Sequence, residues 1–209
     1  MRLAAARRPD RRCDPPVRLH SIVRDLETAR NAVVGGASVL RLAAGLETSL
    51  LIAAGLGLRR FGTTFFVVDD IEAALELGAD GVHLDLHSER EELARGAGLR
   101  VGASASSYLG ASAAQADYLD VEIGAEEPGE QGSGDSLAEL ARICAAVAVP
   151  VIARGAIDSS NVARYIAAGA AGVAVDGAPQ GRALREAVDE ALAERAPASQ
   201  GRGRNGGSS

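Results

Sequence analysis

One short pattern recurs four times along the chain and limits its fold more than any other feature. An alanine-rich segment with helical periodicity ends in small residues and leads directly into a β-branched run, at residues 36–42, 78–84, 115–121 and 169–175. Three of the copies begin with glycine. Because a left-handed glycine commonly closes a helix, a β-branched run directly after it indicates a tight return from helix to strand. The pattern therefore predicts helices that alternate with parallel strands.

The spacing of these junctions leaves room for more strands. A strand and its helix need about 20 to 25 residues, so each interval holds one further strand. We predict the additional strands at residues 17–23, 63–68, 99–104 and 149–154. The predicted helices lie near residues 25–35, 46–60, 71–77, 88–96, 106–115, 136–147, 159–168 and 181–194. Eight parallel strands with right-handed crossovers favour an α/β fold of the (β/α)8 TIM barrel type. A doubly wound sheet is the alternative, although no G-x-G-x-x-G follows the first strand.

The two ends of the chain differ in composition from its middle. Residues 1–16 are rich in arginine but lack the apolar stretch of a secretory signal, and residues 196–209 are rich in glycine, serine and arginine. Both ends are predicted to be disordered tails. Residues 17–195 contain no linker-like stretch and are predicted to form a single barrel domain.

Composition excludes several classes of function. The 22 basic residues are all arginines and face 28 acidic residues, for a net charge of −6, which argues against a nucleic-acid partner. A chain without lysine cannot form a lysine Schiff base or use a P-loop lysine. Two cysteines indicate neither a four-cysteine zinc site nor a disulfide framework. No apolar run reaches the ~18 residues that span a bilayer, so we expect a cytoplasmic protein with no membrane partner.

The ends of the predicted strands carry charged and hydroxyl side chains, and in a barrel the loops after the strands build the active site. These residues are Arg24, Arg41, Asp69, Asp70, Asp85, His87, Ser104, Ser106, Asp120, Glu122, Arg154 and Asp176. Acidic side chains from four strands at one mouth indicate either a site for a hard divalent cation or a solvated ring of charge. The sequence leaves both interpretations open.

Strands seven and eight end in a combination that favours an anion. Gly155 and Gly177 allow backbone N–H groups to approach a phosphate, and Arg154 adds a charged donor. The alternative is that these glycines only turn the chain. His83 alternates with Asp85 along strand four and is predicted to be buried rather than catalytic.

Residues 65–85, Phe-Phe-Val-Val-Asp-Asp-Ile-Glu-Ala-Ala-Leu-Glu-Leu-Gly-Ala-Asp-Gly-Val-His-Leu-Asp, resemble the thiamine-phosphate synthase and TenI family. Further matches are Val-Gly-Ala-Ser at 101–104, Ala-Asp-Tyr at 116–118 and Pro-Val-Ile-Ala-Arg-Gly-Ala-Ile at 150–157. The resemblance covers about residues 17–180 and implies the same barrel. It also implies a role in thiamine biosynthesis, where a pyrimidine diphosphate is joined to a thiazole phosphate, pyrophosphate is released and aspartates hold Mg2+.

The resemblance assigns roles by position. Asp69 matches the first metal aspartate of the family, and the second falls on Ser88, so that Asp70 or Asp85 would have to substitute for it. Ser104 matches the diphosphate-binding serine and Gly155 the glycine of the phosphate loop. Arg41 matches either the glutamine or the arginine of the family's Q-L-R-E-K motif. The candidate residues are thus Arg41 and Ser104 for catalysis, Arg154, Gly155 and Gly177 for phosphate, and Asp69 and Asp85 for Mg2+.

This chain departs from the family in the charge of its mouth. The family's lysines are absent, and an anionic stretch at residues 122–130 replaces its T-x-T-K loop. Because like charges repel a diphosphate, we expect weak or absent synthase turnover, which leaves open whether the chain is an enzyme. The alternatives are a TenI-like thiazole tautomerase or other small-molecule enzyme, although the tautomerase histidine falls on Ser106, and a non-catalytic phosphate-binding barrel. Each reading implies a small phosphorylated heterocyclic partner, and homo-oligomer formation remains open.

Overall fold

Eight strands and seven helices are described in a computed structural model, which covers residues 18–43, 45–57, 64–85, 90–105, 116–123, 133–178 and 181–195. The strands are β1 (Leu19–Val23), β2 (Val39–Leu42), β3 (Thr64–Val68), β4 (Gly81–Asp85), β5 (Arg100–Ala105), β6 (Tyr118–Glu122), β7 (Val151–Arg154) and β8 (Gly172–Asp176). The helices are α1 (Leu26–Val34), α2 (Leu46–Leu56), α3 (Ile71–Leu77), α4 (Arg90–Gly96), α5 (Ser133–Ala146), α6 (Val162–Ala167) and α7 (Gly181–Arg195).

The sheet is closed. Each strand pairs in parallel with the next one along the chain, and β8 pairs with β1. This confirms the predicted (β/α)8 barrel. The predicted helix at 106–115 and both predicted tails lie outside the described residues. Within the described part of the chain, no helix is long and apolar enough to cross a membrane.

The junction glycines that predicted the fold have the expected backbone conformation. The φ angles are 86° at Gly36, 61° at Gly78 and 113° at Gly169, all in the region that favours glycine. Gly78 ends α3 in the left-handed conformation and directs its N–H back to the carbonyl groups of the last turn. The same residues therefore end the helix and aim the chain into the following strand.

The apolar residues form an outer and an inner core. Two large clusters lie between the strands and the helices around them, on the outward face of the sheet. A small cluster fills the interior of the barrel and consists of Val39, Phe66, Tyr118, Ile152 and Ala174. Since strand side chains alternate between the two faces, the same strands serve both cores.

Two interior glycines make room for the aromatic rings of the inner core. Gly81 is in register with Phe66, and Gly102 is in register with Tyr118. A Cβ atom at Gly81 would overlap the ring of Phe66, and one at Gly102 would overlap the phenol end of Tyr118. The two small residues therefore decide where the rings can lie.

We expect Gly102→Ala to lower the free energy of unfolding by about 1 to 3 kcal/mol, the usual cost of overpacking a core. Urea denaturation monitored by circular dichroism measures the change. Gly96→Ala is the matched control, since nothing lies within 4 Å of a Cβ atom at Gly96. That variant should be neutral or slightly stabilising. Equal effects of the two substitutions would contradict this account of the interior.

Candidate active site

Strand register brings several predicted site residues to the same end of the barrel. Asp85 on β4 is in register with Ser104 on β5, and Ser104 is in register with Asp120 on β6. Glu122 is in register with Arg154 on β7. These positions lie at or near the carboxyl ends of their strands, which is the end that carries active sites in barrels of this type.

Arg41 lies inside the barrel and is paired on two sides. Its Nη1 and Nη2 atoms donate to the two carboxylate oxygens of Asp120, and its Nε and Nη2 atoms donate to Nδ1 of His20 at 3.0 and 2.7 Å. The side chains of Arg41 and Asp120 are each 1% exposed. Burial alone would lower the pKa of Arg41, but Tyr118 and Asp120 outweigh this effect and raise it. Arg41 is therefore a charged residue enclosed by protein.

His20 completes this buried group and was missed by the sequence analysis. Because Nδ1 accepts from Arg41, the proton of the neutral ring lies on Nε2. That atom is buried and has no hydrogen-bond partner among the described residues, an arrangement that costs about 1 to 3 kcal/mol. Burial and the charge of Arg41 hold the pKa of His20 well below its usual value.

His83 is buried, as predicted, at 6% exposure. Its Nδ1 atom lies 3.0 Å from the hydroxyl of Tyr118, and its Nε2 atom lies 2.9 Å from Oγ of Ser104. The same Nε2 atom is 3.9 Å from Asp120. Burial, followed by the charge of Arg41, lowers the pKa of His83 to about 3, so the ring is neutral near pH 7. His83 therefore connects the interior of the barrel to Ser104, which is partly exposed.

Arginines at the mouth are paired with carboxylates. Nη2 of Arg154 donates to Glu122 at 2.6 Å, and its Nε atom lies 3.8 Å from Asp120. Arg24 donates to Asp176 at 3.0 Å. The side chains of Arg154 and Glu122 are 32% and 66% exposed, so water and solutes can reach this pair. An anionic ligand has to compete with Glu122 for Arg154.

Asp69 has an unusual backbone. Its φ angle of 55° makes it the one non-glycine residue in the left-handed region within the described part of the chain. Its N–H donates to the carbonyl of His83 at 2.9 Å, and its carbonyl accepts from Arg90 at 2.6 Å. Backbone strain of this kind concentrates at functional sites, so it supports a functional role for Asp69.

Asp70 has a structural task. Its side chain accepts a hydrogen bond from the N–H of Ala73 at 2.8 Å and caps the N-terminus of α3. A capping carboxylate satisfies backbone donors that the helix itself leaves unpaired. This capping role makes Asp70 less suited to stand in for the second metal aspartate.

Gly155 and Gly177 both have a role in the barrel backbone. Gly177, with a φ angle of 71°, donates its N–H to the carbonyl of Ile22 at 2.8 Å. A Cβ atom at Gly155 would lie 2.5 Å from the carbonyl oxygen of Ile123, so this glycine permits a close approach of the chain after β6. The N–H of Gly177 is thus already used by the protein.

The described residues contain no group of three or more His, Cys, Asp or Glu side chains placed to hold a metal ion. Mg2+, however, commonly uses only one or two carboxylates together with substrate phosphates and water. Asp69 is a hard oxygen ligand on a backbone fixed by two hydrogen bonds. This residue therefore fits a Mg2+ ion that is bound mainly through the phosphates of a substrate.

The structure gathers some candidates into one network. Arg41 and Arg154 both approach Asp120, and Ser104 joins them through His83. Asp69 reaches the network through a backbone hydrogen bond, while Gly177 is held by β1. Tyr118, Asp120 and Glu122 alternate along β6, and this alternation is a sequence pattern from which the network could have been predicted.

We expect Asp120→Asn to lower the free energy of unfolding by about 3 to 5 kcal/mol, because it leaves the buried Arg41 without a charge partner. Chemical denaturation measures the loss. Asp176→Asn, which removes a carboxylate from an exposed pair with Arg24, should change stability by less than about 1 kcal/mol. If Asp120→Asn lowers the free energy of unfolding by as little as Asp176→Asn does, the interior pair does not need both charges.

Comparisons with known proteins agree with this arrangement. Residues 24–178 match the family model described as thiamine monophosphate synthase. The thiamine-phosphate synthase of Methanoculleus marisnigri is 37% identical over 191 residues, which cover 85% of this chain and 90% of that protein. The corresponding protein of Methanoregula boonei is 37% identical over 183 residues, covering 81% and 84% of the two chains.

Solved structures give the same result. The thiamine phosphate pyrophosphorylase from Pyrococcus furiosus superposes with a TM-score of 0.71 and 28% identity, covering 85% of this chain and 98% of that one. The family match includes the strand ends from β2 to β8, which carry the network described above. The chain belongs to the thiamine monophosphate synthase family.

Proposed function

We propose that this chain is a slow thiamine-phosphate synthase, which joins a pyrimidine diphosphate to a thiazole phosphate and releases pyrophosphate at the mouth of the barrel. The extent of the family match carries the proposal. It runs from Arg24, just after β1, to Ala178, just after β8. A barrel by itself supports many chemistries, whereas a relative that carries the synthase name matches this chain over 90% of its own length.

Two side chains of the mouth, those of Ser104 and Arg154, are available for the diphosphate. Ser104 is partly exposed. Arg154 is also partly exposed, and its Nε atom lies 3.8 Å from Asp120. Negative charge develops on the leaving pyrophosphate as its bond to the pyrimidine breaks, and donors placed around it stabilise that charge. When bound, Mg2+ would be held by Asp69 and Asp85 and would neutralise part of the same charge. Gly155 remains a candidate backbone ligand for phosphate.

The pairing of the arginines explains why we expect slow turnover. Arg154 is held by Glu122, and Arg41 is enclosed by Asp120 and His20. Their positive charge is therefore largely compensated before a diphosphate arrives. The same pairing favours a phosphate-binding barrel without turnover as the second candidate. A cytoplasmic location, a small phosphorylated heterocyclic ligand and self-association remain predictions from the sequence.

We expect purified protein, supplied with both precursors and Mg2+, to release pyrophosphate more slowly than ~1 s⁻¹, below the usual enzymatic range. A coupled pyrophosphate assay measures the rate. Asp69→Ala should abolish it, whereas Glu72→Ala, a carboxylate on the exposed face of α3, should leave it unchanged. Complete absence of thiamine phosphate would favour the binding barrel. A rate above ~1 s⁻¹ would show that the anionic mouth is no obstacle.

We expect opposite effects from the two partners of the mouth ion pair. Arg154→Ala should weaken pyrophosphate binding by about 1.5 to 3 kcal/mol, because a charged hydrogen bond is lost. Glu122→Gln should tighten binding about two- to fivefold, because it removes the competitor for Arg154. Isothermal titration calorimetry measures both, with Glu139→Gln on α5 as the control. Unchanged affinity in Arg154→Ala would place the anion elsewhere.

A further inference from the structure

A line of three polar side chains runs from the interior of the barrel to its mouth. Tyr118 is 4% exposed and lies beneath His83, with the two rings stacked at a centroid distance of 5.7 Å and an interplanar angle of 24°. His83 in turn contacts Ser104. Of these three side chains, the proposed function uses only Ser104. The roles of the buried Tyr118 and His83 need a separate explanation.

The hydroxyl proton of Tyr118 needs an acceptor, because an unpaired buried donor is costly. Nδ1 of His83 lies 3.0 Å from this hydroxyl, whereas Arg41, which also hydrogen-bonds to it, can only donate. Nδ1 of His20 is already occupied by two N–H groups of Arg41. Tyr118 therefore donates to Nδ1 of His83.

This donation determines the tautomer of His83. A neutral imidazole carries a single proton, so an accepting Nδ1 atom leaves the proton on Nε2. That N–H points at Oγ of Ser104, 2.9 Å away, and Asp120 at 3.9 Å lies on the same side. The nearby carboxylate stabilises a proton at this position. His83 is thus the donor and Ser104 the acceptor.

The tautomer of His83 decides whether the hydroxyl of Ser104 can donate a hydrogen bond to a ligand. A hydroxyl group that accepts through its oxygen keeps its own proton for another partner. In the opposite tautomer, Ser104 would donate to His83 and would present only lone pairs to a ligand, which an anion avoids. Resting on the proposed function, we propose that Tyr118 and His83 are positioning residues that keep Ser104 as a hydrogen-bond donor to the phosphate groups of the ligand.

Nuclear magnetic resonance of the full chain labelled with ¹⁵N on histidine reads the tautomer directly. The chain has three histidines, His20, His83 and His87, and the spectrum of a His83→Gln variant identifies the signals of His83. We expect the Nε2–H tautomer in the unsubstituted protein and a shift towards Nδ1–H in Tyr118→Phe. An Nδ1–H tautomer in the unsubstituted protein would overturn the inference.

Calorimetry with pyrophosphate and Mg2+ tests the consequence for binding. Tyr118→Phe should weaken binding about three- to tenfold and should have no further effect in a Ser104→Ala background. Tyr165→Phe is the matched control, since Tyr165 is also buried but its hydroxyl pairs with Arg164 away from the mouth. Thermal denaturation shows that each variant is folded.

The outcomes separate the two proposals. If the unsubstituted chain binds no pyrophosphate, the proposed function fails. The tautomer of His83 still decides whether Tyr118 and His83 keep Ser104 as a hydrogen-bond donor. If it binds pyrophosphate and Tyr118→Phe binds equally well, the inference fails while the proposed function stands. An undiminished effect of Tyr118→Phe in the Ser104→Ala background would show that Tyr118 does not act through Ser104.

Discussion

The buried ion pair between Arg41 and Asp120 organises the interior of this barrel. Neither charge reaches water, and removing charges from water is expensive unless they are paired and hydrogen-bonded on all sides. Here the carboxylate of Asp120 accepts two hydrogen bonds from Arg41, and Nδ1 of His20 accepts from two further N–H groups of the same side chain. The apolar inner core, which includes Phe66 and Tyr118, lies against this group. The interior thus has an apolar part and a charged part.

Burial divides the ion pairs into two kinds. A pair that is closed off from water, such as Arg41 with Asp120, cannot exchange its partner for a ligand without leaving a charge stranded. Arg154 and Glu122 are partly exposed, so solvent weakens their attraction and a bound anion can replace the glutamate. Both Arg41 and Arg154 were predicted to be site residues at strand ends, Arg41 for catalysis and Arg154 for phosphate. Their surroundings suit Arg41 to holding the framework and Arg154 to meeting the ligand.

Local signals predicted the fold well and the partners poorly. Gly36, Gly78 and Gly169 marked helix ends because the left-handed conformation leaves a clear trace in the sequence. A residue's position at a strand end also follows from periodicity. The identity of its partner does not, since Arg41 and Asp120 are 79 residues apart and their contact depends on how far each side chain reaches across the interior of the barrel. One local signal was overlooked, because an aspartate directly before a helix, as at Asp70, commonly serves as its cap.

The backbone of Asp69 sets stability and activity against each other at a single residue. The other described residues with positive φ are glycines, which adopt this conformation without steric strain. Selection for thermal stability alone would therefore favour glycine at this turn and would remove the carboxylate. Asp69→Gly relieves the backbone strain and removes the carboxylate. Asp69→Ala also removes the carboxylate but keeps the strain, so only the glycine variant separates the cost in stability from the contribution to activity. If the Asp69→Gly variant is more stable and less active than the natural chain, aspartate is retained at this position for its chemistry and not for stability.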